Sequence, residues 1–239
     1  MELDKTIIVG ATSGIGRALA VEFAERGHHV GITGRRDELL RSLLSERDNI
    51  VAARRMDVTE TENSAVALRG LIDEVGDVAT IVINSGVLFR NPGRDGNQAM
   101  IDTNVSGFVS MAEEAMTYFR KRGEGRLVGI SSIAAVRGAK GTPVYNASKA
   151  FVSTYLDGLR HRVAYEKLPI QITDIRPGFV RTAMIEDRGG LFWVASPEKA
   201  ARQIVDAVKK GKKRAYVTKR WRLIAWLARL VPDSVYHKF

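Results

Sequence analysis

A short apolar run, Thr6-Ile-Ile-Val9, leads into Gly10-Ala-Thr-Ser-Gly14-Ile-Gly16, and a helical stretch from Arg17 to Arg26 follows, ending at Gly27. No other feature narrows the fold as far. Strand, glycine loop and helix in that order place a pyrophosphate on a helix N-terminus. Gly10 permits the tight turn, Gly14 lets the backbone approach the phosphates, and Gly16 lets helix and strand pack closely. Thr12, Ser13 and Ile15 fill the loop between these glycines.

The rest of the chain repeats the rhythm. Apolar segments at 5–9, 28–33, 50–56, 79–83, 125–131, 169–175 and 214–218 read as strands. Amphipathic stretches at 14–26, 36–47, 60–74, 98–121, 146–166 and 197–210 lie between them. Such alternation predicts a parallel sheet with helices on both faces. The 239 residues suffice for one well-buried α/β domain and are too few for two. No linker, repeat or low-complexity segment interrupts them. The expectation is one doubly wound domain of about seven strands over 1–218, its ligand crevice at the carboxyl ends of the strands. A basic amphipathic extension of the same domain covers 219–239.

A second constellation bears on chemistry. Tyr145 and Lys149 sit four residues apart in Pro143-Val-Tyr-Asn-Ala-Ser-Lys149, and Ser132 lies thirteen residues before the tyrosine. A spacing of four puts phenol and ammonium on one helix face, one turn apart. A nearby positive charge favours phenolate, which suits a phenol to exchange a proton with a carbonyl or alcohol oxygen. Ser132 supplies a second hydrogen bond to that oxygen. Taken alone the pair is common and reads equally as an exposed helix pair.

These residues together resemble the short-chain dehydrogenase/reductase family in its compact single-domain branch, over residues 5 to 182. The family's glycine motif is present as Val9-Gly10 through Gly14 and Gly16, with valine in place of threonine. Asp57-Val58 is similar to the pair in which an acid contacts the adenine amino group. Ile83-Asn84-Ser85-Gly86 stands where the family has N-N-A-G, and Asn104 matches its helix asparagine, which positions a water in the proton relay. Ser132, Tyr145 and Lys149 match the other catalytic positions. Pro177-Gly178-Phe-Val180-Arg-Thr182 matches P-G-x-V-x-T, whose valine and threonine meet the nicotinamide carboxamide. The resemblance implies a Rossmann-type fold, an NAD(P)-dependent oxidoreductase acting on CH-OH and C=O groups, and a homodimer or homotetramer. It implies that Asn104, Ser132, Tyr145 and Lys149 are catalytic, with Tyr145 and Lys149 also touching the cofactor. An NAD(P)-binding scaffold or sensor without turnover is the alternative, and the intact tetrad weighs against it.

The second strand ends Ile32-Thr33-Gly34-Arg35-Arg36. An acid there suits the ribose 2′-hydroxyl of NAD, whereas a base suits the 2′-phosphate of NADP. Gly34 takes the acidic position and Arg35 follows, so NADP(H) is the expected cofactor and NAD(H) the alternative. The competing reading makes Arg35 and Arg36 the start of a solvated helix.

Zero cysteines exclude disulfides and thiol catalysis. The four histidines, 28, 29, 161 and 237, lack ligand spacing, so no metal is expected. With no apolar run of spanning length and strand one beginning almost at once, a cytoplasmic protein is expected. The substrate is expected to be a lipophilic ketone or alcohol, from the apolar, glycine-hinged stretch 183–194 with Leu191, Phe192 and Trp193. The same aromatics read equally as packing on the domain.

Residues 209–239 carry a net charge of +9 and residues 1–208 only +1, so the excess base belongs to a tail. Within it, 219–231 reads as a helix stopped by Pro232. Leu223, Ile224, Leu227, Leu230 and Val231 cluster on one face, and Arg222, Trp226 and Arg229 share another. Three readings stand: peripheral contact with an anionic membrane, packing on the domain or a neighbouring subunit, and nucleic-acid binding, the last without a recognisable module.

Overall fold

Seven strands form one parallel sheet in the computed structural model, which describes residues 4–185 and 191–236. They are β1 (Lys5–Val9), β2 (His29–Gly34), β3 (Ile50–Arg55), β4 (Thr80–Ile83), β5 (Gly125–Ile130), β6 (Ile170–Pro177) and β7 (Arg214–Val217). Their order is β3-β2-β1-β4-β5-β6-β7, and every neighbouring pair is parallel. The order reverses between β1 and β4, and a ligand crevice opens at such a switch point. The loops that leave these two strands carry the glycine motif and Asn84.

The strands are apolar without a break because both faces are covered. Ile7 and Val9 of β1 point into one core and Ile8 into the other. The first core is closed by α3 (Thr61–Val75), α5 (Gly107–Arg122) and α6 (Pro143–Tyr165), through Leu68, Phe108 and Leu156. The second is closed by α1 (Gly14–Glu25), α2 (Asp37–Glu46) and α7 (Pro197–Lys209), through Leu19, Leu40 and Ile204. Helix ends follow local chemistry. Pro143 and Pro197 occupy first turns, the Ser196 side chain accepts from the Lys199 amide at 3.2 Å, and Gly123 closes α5 at φ +89°.

The single helix expected over 98–121 is three pieces: α4 (Arg94–Ile101), a π-turn over Asp102–Ser106, and α5. The wide turn carries Asn104, and inserted π-turns occur often at functional positions. A 3-10 turn over Ile133–Val136, also absent from the periodicity, follows Ser132. The tail folds back as β7, α8 (Trp221–Leu230) and the short α9 (Asp233–Tyr236). Its charge is divided. Lys212 and Lys213 lie at the amino end of β7, while Lys219, Arg220, Arg222 and Arg229 gather around α8 at the crevice end. Lys238 lies outside the described residues.

One polar cluster is buried where β5, β6, β7 and α6 meet. The fully buried carboxylate of Asp174 accepts from Ser131, from Ser153 at 2.6 Å, from Arg176 at 2.8 Å and from Arg214 at 3.3 Å. Removing one partner of such a pair leaves an uncompensated buried charge, which costs about 3–5 kcal/mol. Asp174→Ala should therefore unfold at markedly lower denaturant concentration than Asp174→Asn, which keeps part of the hydrogen bonding. A chemical-denaturation series on the two variants checks this.

Candidate active site

Crowding fixes the glycine loop. Gly10 and Gly14 have φ of +87° and +55°, a region open to glycine. A Cβ on Gly16 would stand 2.0 Å from the Gly10 carbonyl oxygen and 2.4 Å from Asn84 Nδ2. The same Asn84 amide donates to the Gly10 oxygen at 2.8 Å, so the loop after β4 braces the loop after β1. Across the loop, a Cβ on Gly14 would meet the Thr182 methyl at 2.8 Å. These contacts leave bare backbone facing a cleft of about 590 Å3 that runs along the switch point. A dinucleotide's phosphates need such a surface.

The expected cofactor residues Gly10, Thr12, Ser13, Gly14, Ile15, Arg35, Asp57, Val58, Asn84, Gly86, Tyr145, Lys149, Pro177, Gly178, Val180 and Thr182 all line this cleft. Gly16 stands behind the loop as a packing residue. Gly34 is tied to Thr12, whose methyl a Cβ there would meet at 2.5 Å. An acidic side chain at that position therefore has no room without moving the loop. Arg35 is largely exposed and 4.0 Å from Asp57. Its neighbour Arg36 reaches back across the cleft's edge, donating to Thr12 and Ser13 hydroxyls at 2.8 Å each. The sequence shows Arg36 as the second half of a basic pair with Arg35, and residue order alone does not tell which guanidinium turns onto the glycine loop.

The catalytic candidates converge from three elements. Ser132, at the end of β5, accepts a hydrogen bond from the Ala134 amide at 3.0 Å, which leaves its hydroxyl hydrogen available to the cleft. Tyr145 and Lys149 stand on α6 as expected, the ammonium 5.9 Å from the phenol's ring centre. Lys149 Nζ donates to the Ile130 carbonyl at 3.0 Å. It also lies 3.2 Å from where a Cβ on Gly86 would be, so Gly86 clears its approach to the cleft. Asn104 does not line the cleft. It is buried, accepting from the Val87 amide at 2.8 Å and donating to the Val87 carbonyl at 2.9 Å and to Ser148 at 3.1 Å. Ser148 in turn donates to the Tyr145 carbonyl at 2.8 Å. Asn104 thus clamps the loop after β4 to the first turns of α6.

Burial pulls the Lys149 ammonium down to about 8, with the buried Asp174 carboxylate acting in the opposite direction. The unfolded chain holds this proton more tightly than the folded one. The fold therefore gains stability from this group as pH rises from about 8 toward the ordinary lysine value, and forgoes it below 8.

At the other end the cleft is apolar, and part of its wall was not legible in the sequence. Met184 and Ile185 come from the loop after β6, as expected, while Ile224, Ala228 and Tyr236 come from α8 and α9. Phe192 and Trp193 stand outside this wall. They pack with Phe179 around Trp221, with ring centres 5.1 to 6.3 Å apart, and the Arg220 guanidinium covers Trp193 at 4.7 Å. Trp193 keeps φ at +57°, a costly conformation for a large residue, within this cluster. Residues 186–190, which include Gly189 and Gly190, lie outside the described residues. Arg137, just past the 3-10 turn, holds the tail in place. Its guanidinium donates to the Ala228 carbonyl at 2.8 Å and to the Val231 carbonyl, pairs with Asp233, and covers the Tyr236 ring at 3.9 Å. No local signal in the sequence marks a contact spanning ninety residues.

Residues 4–189 match the short chain dehydrogenase family. An uncharacterized oxidoreductase of Myxococcus xanthus is 34% identical over 191 residues, covering 77% of this chain and 75% of the relative. Among solved structures, the closed form of a serine dehydrogenase complexed with NADP+ matches with a TM-score of 0.74 at 25% identity, over 85% of this chain and 88% of that one. A short chain dehydrogenase/reductase from Burkholderia phymatum in complex with NAD reaches 0.85 at 16% identity, over 95% and 92%, a likeness of fold alone.

Because its charged form is held at a cost to folding, Lys149→Met should raise the thermal midpoint at pH 7. The gain should shrink by pH 9.5, above the lysine's value of about 8. Melting curves at the two pH values check this.

Proposed function

The chain belongs to the short chain dehydrogenase family of oxidoreductases, and on that premise we propose that it is an NADP(H)-dependent enzyme acting on a lipophilic carbonyl compound or secondary alcohol. The observation that carries the reading is the convergence of Ser132, Tyr145 and Lys149 on one wall of a cleft whose other arm is a bare glycine loop. The glycine loop, Asn84, Gly86 and Thr182 would hold the nicotinamide cofactor, which supplies or accepts the hydride. Everything else falls to the chain's own side chains. Tyr145 protonates the substrate oxygen during reduction and takes the proton back during oxidation. Lys149, held by Ile130, sets its positive charge 5.9 Å from the centre of the phenol ring, where it favours the phenolate during proton transfer. Ser132 donates its free hydroxyl hydrogen to the same oxygen and so fixes the carbonyl against the phenol. Asn104 positions α6, and its side-chain oxygen retains a lone pair for a relay water.

The NADP preference is supported by Arg36 and Arg35 at the rim beyond Gly34 and by the lack of room for an acid at Gly34. The NADP+ complex of a serine dehydrogenase at 25% identity favours the same reading. Serine is polar, however, and a lipophilic substrate is favoured here by Met184, Ile185, Ile224 and Ala228. Arg137, a candidate anion receptor at that end, is spent on the tail. We take 1–218 as the catalytic domain and 219–239 as its extension, which supplies part of the substrate wall. Assembly as a homodimer or homotetramer in the cytoplasm completes the proposal.

Tyr145→Phe should keep NADPH binding and lose turnover by on the order of 10²-fold or more, a general acid's usual share. Retained turnover in that variant contradicts the assignment. Arg36→Glu should weaken NADPH binding by roughly tenfold to a hundredfold more than NADH binding, the worth of one charge-assisted contact, since loss of the Thr12 and Ser13 contacts falls on both nucleotides alike. Fluorescence titration of each cofactor separates the two outcomes.

A further inference from the structure

The helix α8 is apolar on two opposite sides, and the oxidoreductase reading uses one of them. Trp221 and Ala225 are buried in the body, and Ile224 and Ala228 face the cleft. Leu223, Trp226, Leu227 and Leu230 point away, with exposures of 55, 58, 41 and 60%. At 3.6 residues per turn these four fill an arc of about 100° opposite the buried pair. The stripe that periodicity marks, Leu223, Ile224, Leu227, Leu230 and Val231, is turned by roughly a third of a revolution from the side that meets the body, because the bulky Trp221 claims the contact with Gly178.

Its surroundings are cationic. Arg222 and Arg229 border the arc on one side, Lys219 and Arg220 precede its first turn, and all four are exposed. No acidic residue occurs between Asp206 and Asp233, and Asp233 is paired with Arg137. An exposed leucine-tryptophan face is a surface that soluble proteins keep small. A second copy of this chain docking there would bring two unneutralised cationic margins together, which disfavours self-association through this face. An anionic headgroup layer satisfies both features, taking the apolar arc into the acyl boundary and the guanidiniums at the phosphates.

We propose that the outer face of α8 docks this protein on an anionic lipid bilayer surface. The helix lies in the interface plane: it is ten residues long, and among the described residues no helix is long and apolar enough to cross a membrane. Leu223, Trp226, Leu227 and Leu230 insert, and Arg222 and Arg229 meet the headgroups. The inner side of the same helix walls the substrate end of the cleft, so docking brings that end to the lipid. The proposal is independent of which substrate the cleft takes.

Flotation of the full chain with phosphatidylcholine vesicles, with and without phosphatidylglycerol, tests this. Flotation should require the anionic lipid and weaken at high salt. Trp226→Ser/Leu230→Ser should lower it roughly tenfold or more while leaving NADPH binding and the melting temperature near wild type. Arg222→Glu/Arg229→Glu, which leaves the apolar face intact, should abolish the preference for anionic vesicles. No flotation of the wild type, or flotation equal in all three proteins, overturns the proposal. So does a wild-type oligomer that the Trp226→Ser/Leu230→Ser pair dissociates without any vesicle binding, since that assigns the face to a second copy. Cofactor titration on the same samples reports separately on the oxidoreductase reading.

Discussion

Burying an ammonium at Lys149 carries a cost that the neighbouring structure has to offset. Ile130 gives it a carbonyl, Asp174 lies close enough to favour its charge, and Gly86 leaves the space it needs. Asp174 in turn is held by Ser131 next to Ser132, by Ser153 one turn beyond Lys149, and by Arg176 and Arg214 from the last two strands. One buried cluster thus sets the strand that leads into Ser132 and the helix that carries Tyr145 and Lys149 in register. The cost is borne at the wall of the cleft, and strongly perturbed groups of this kind gather at functional sites.

Against this electrostatic half stands a steric one. The cofactor arm of the cleft exists because side chains are missing from it. Gly16 lies against the Gly10 carbonyl, Gly34 against Thr12, and Gly14 against Thr182. These contacts join β1, β2 and the loop after β6 around the switch point. The Arg36 guanidinium then has one short path, over the loop to Thr12 and Ser13. The basic rim and the glycine loop are in this way parts of one arrangement.

Much of this was readable from residue order. Strands buried on both faces read as unbroken apolar runs, and the glycine loop and the Tyr145–Lys149 spacing carry their geometry with them. What escaped depends on contacts between distant parts of the chain. Asn104 is displayed by a π-turn that a 3.6-residue period cannot show. The clasp of Arg137 on α8 and α9 joins segments that no local pattern relates. Which side of α8 meets the body stays open in the sequence, because periodicity finds an apolar stripe without saying which stripe the body takes. Trp221 decided that by filling the space above Gly178.

Paired fluorescence titrations of NADPH and NADH against the purified wild-type protein test the account most directly. It predicts that both nucleotides bind and that NADPH binds at least about tenfold tighter, the worth of one charge-assisted phosphate contact. Tighter binding of NADH, or binding of neither, would contradict it.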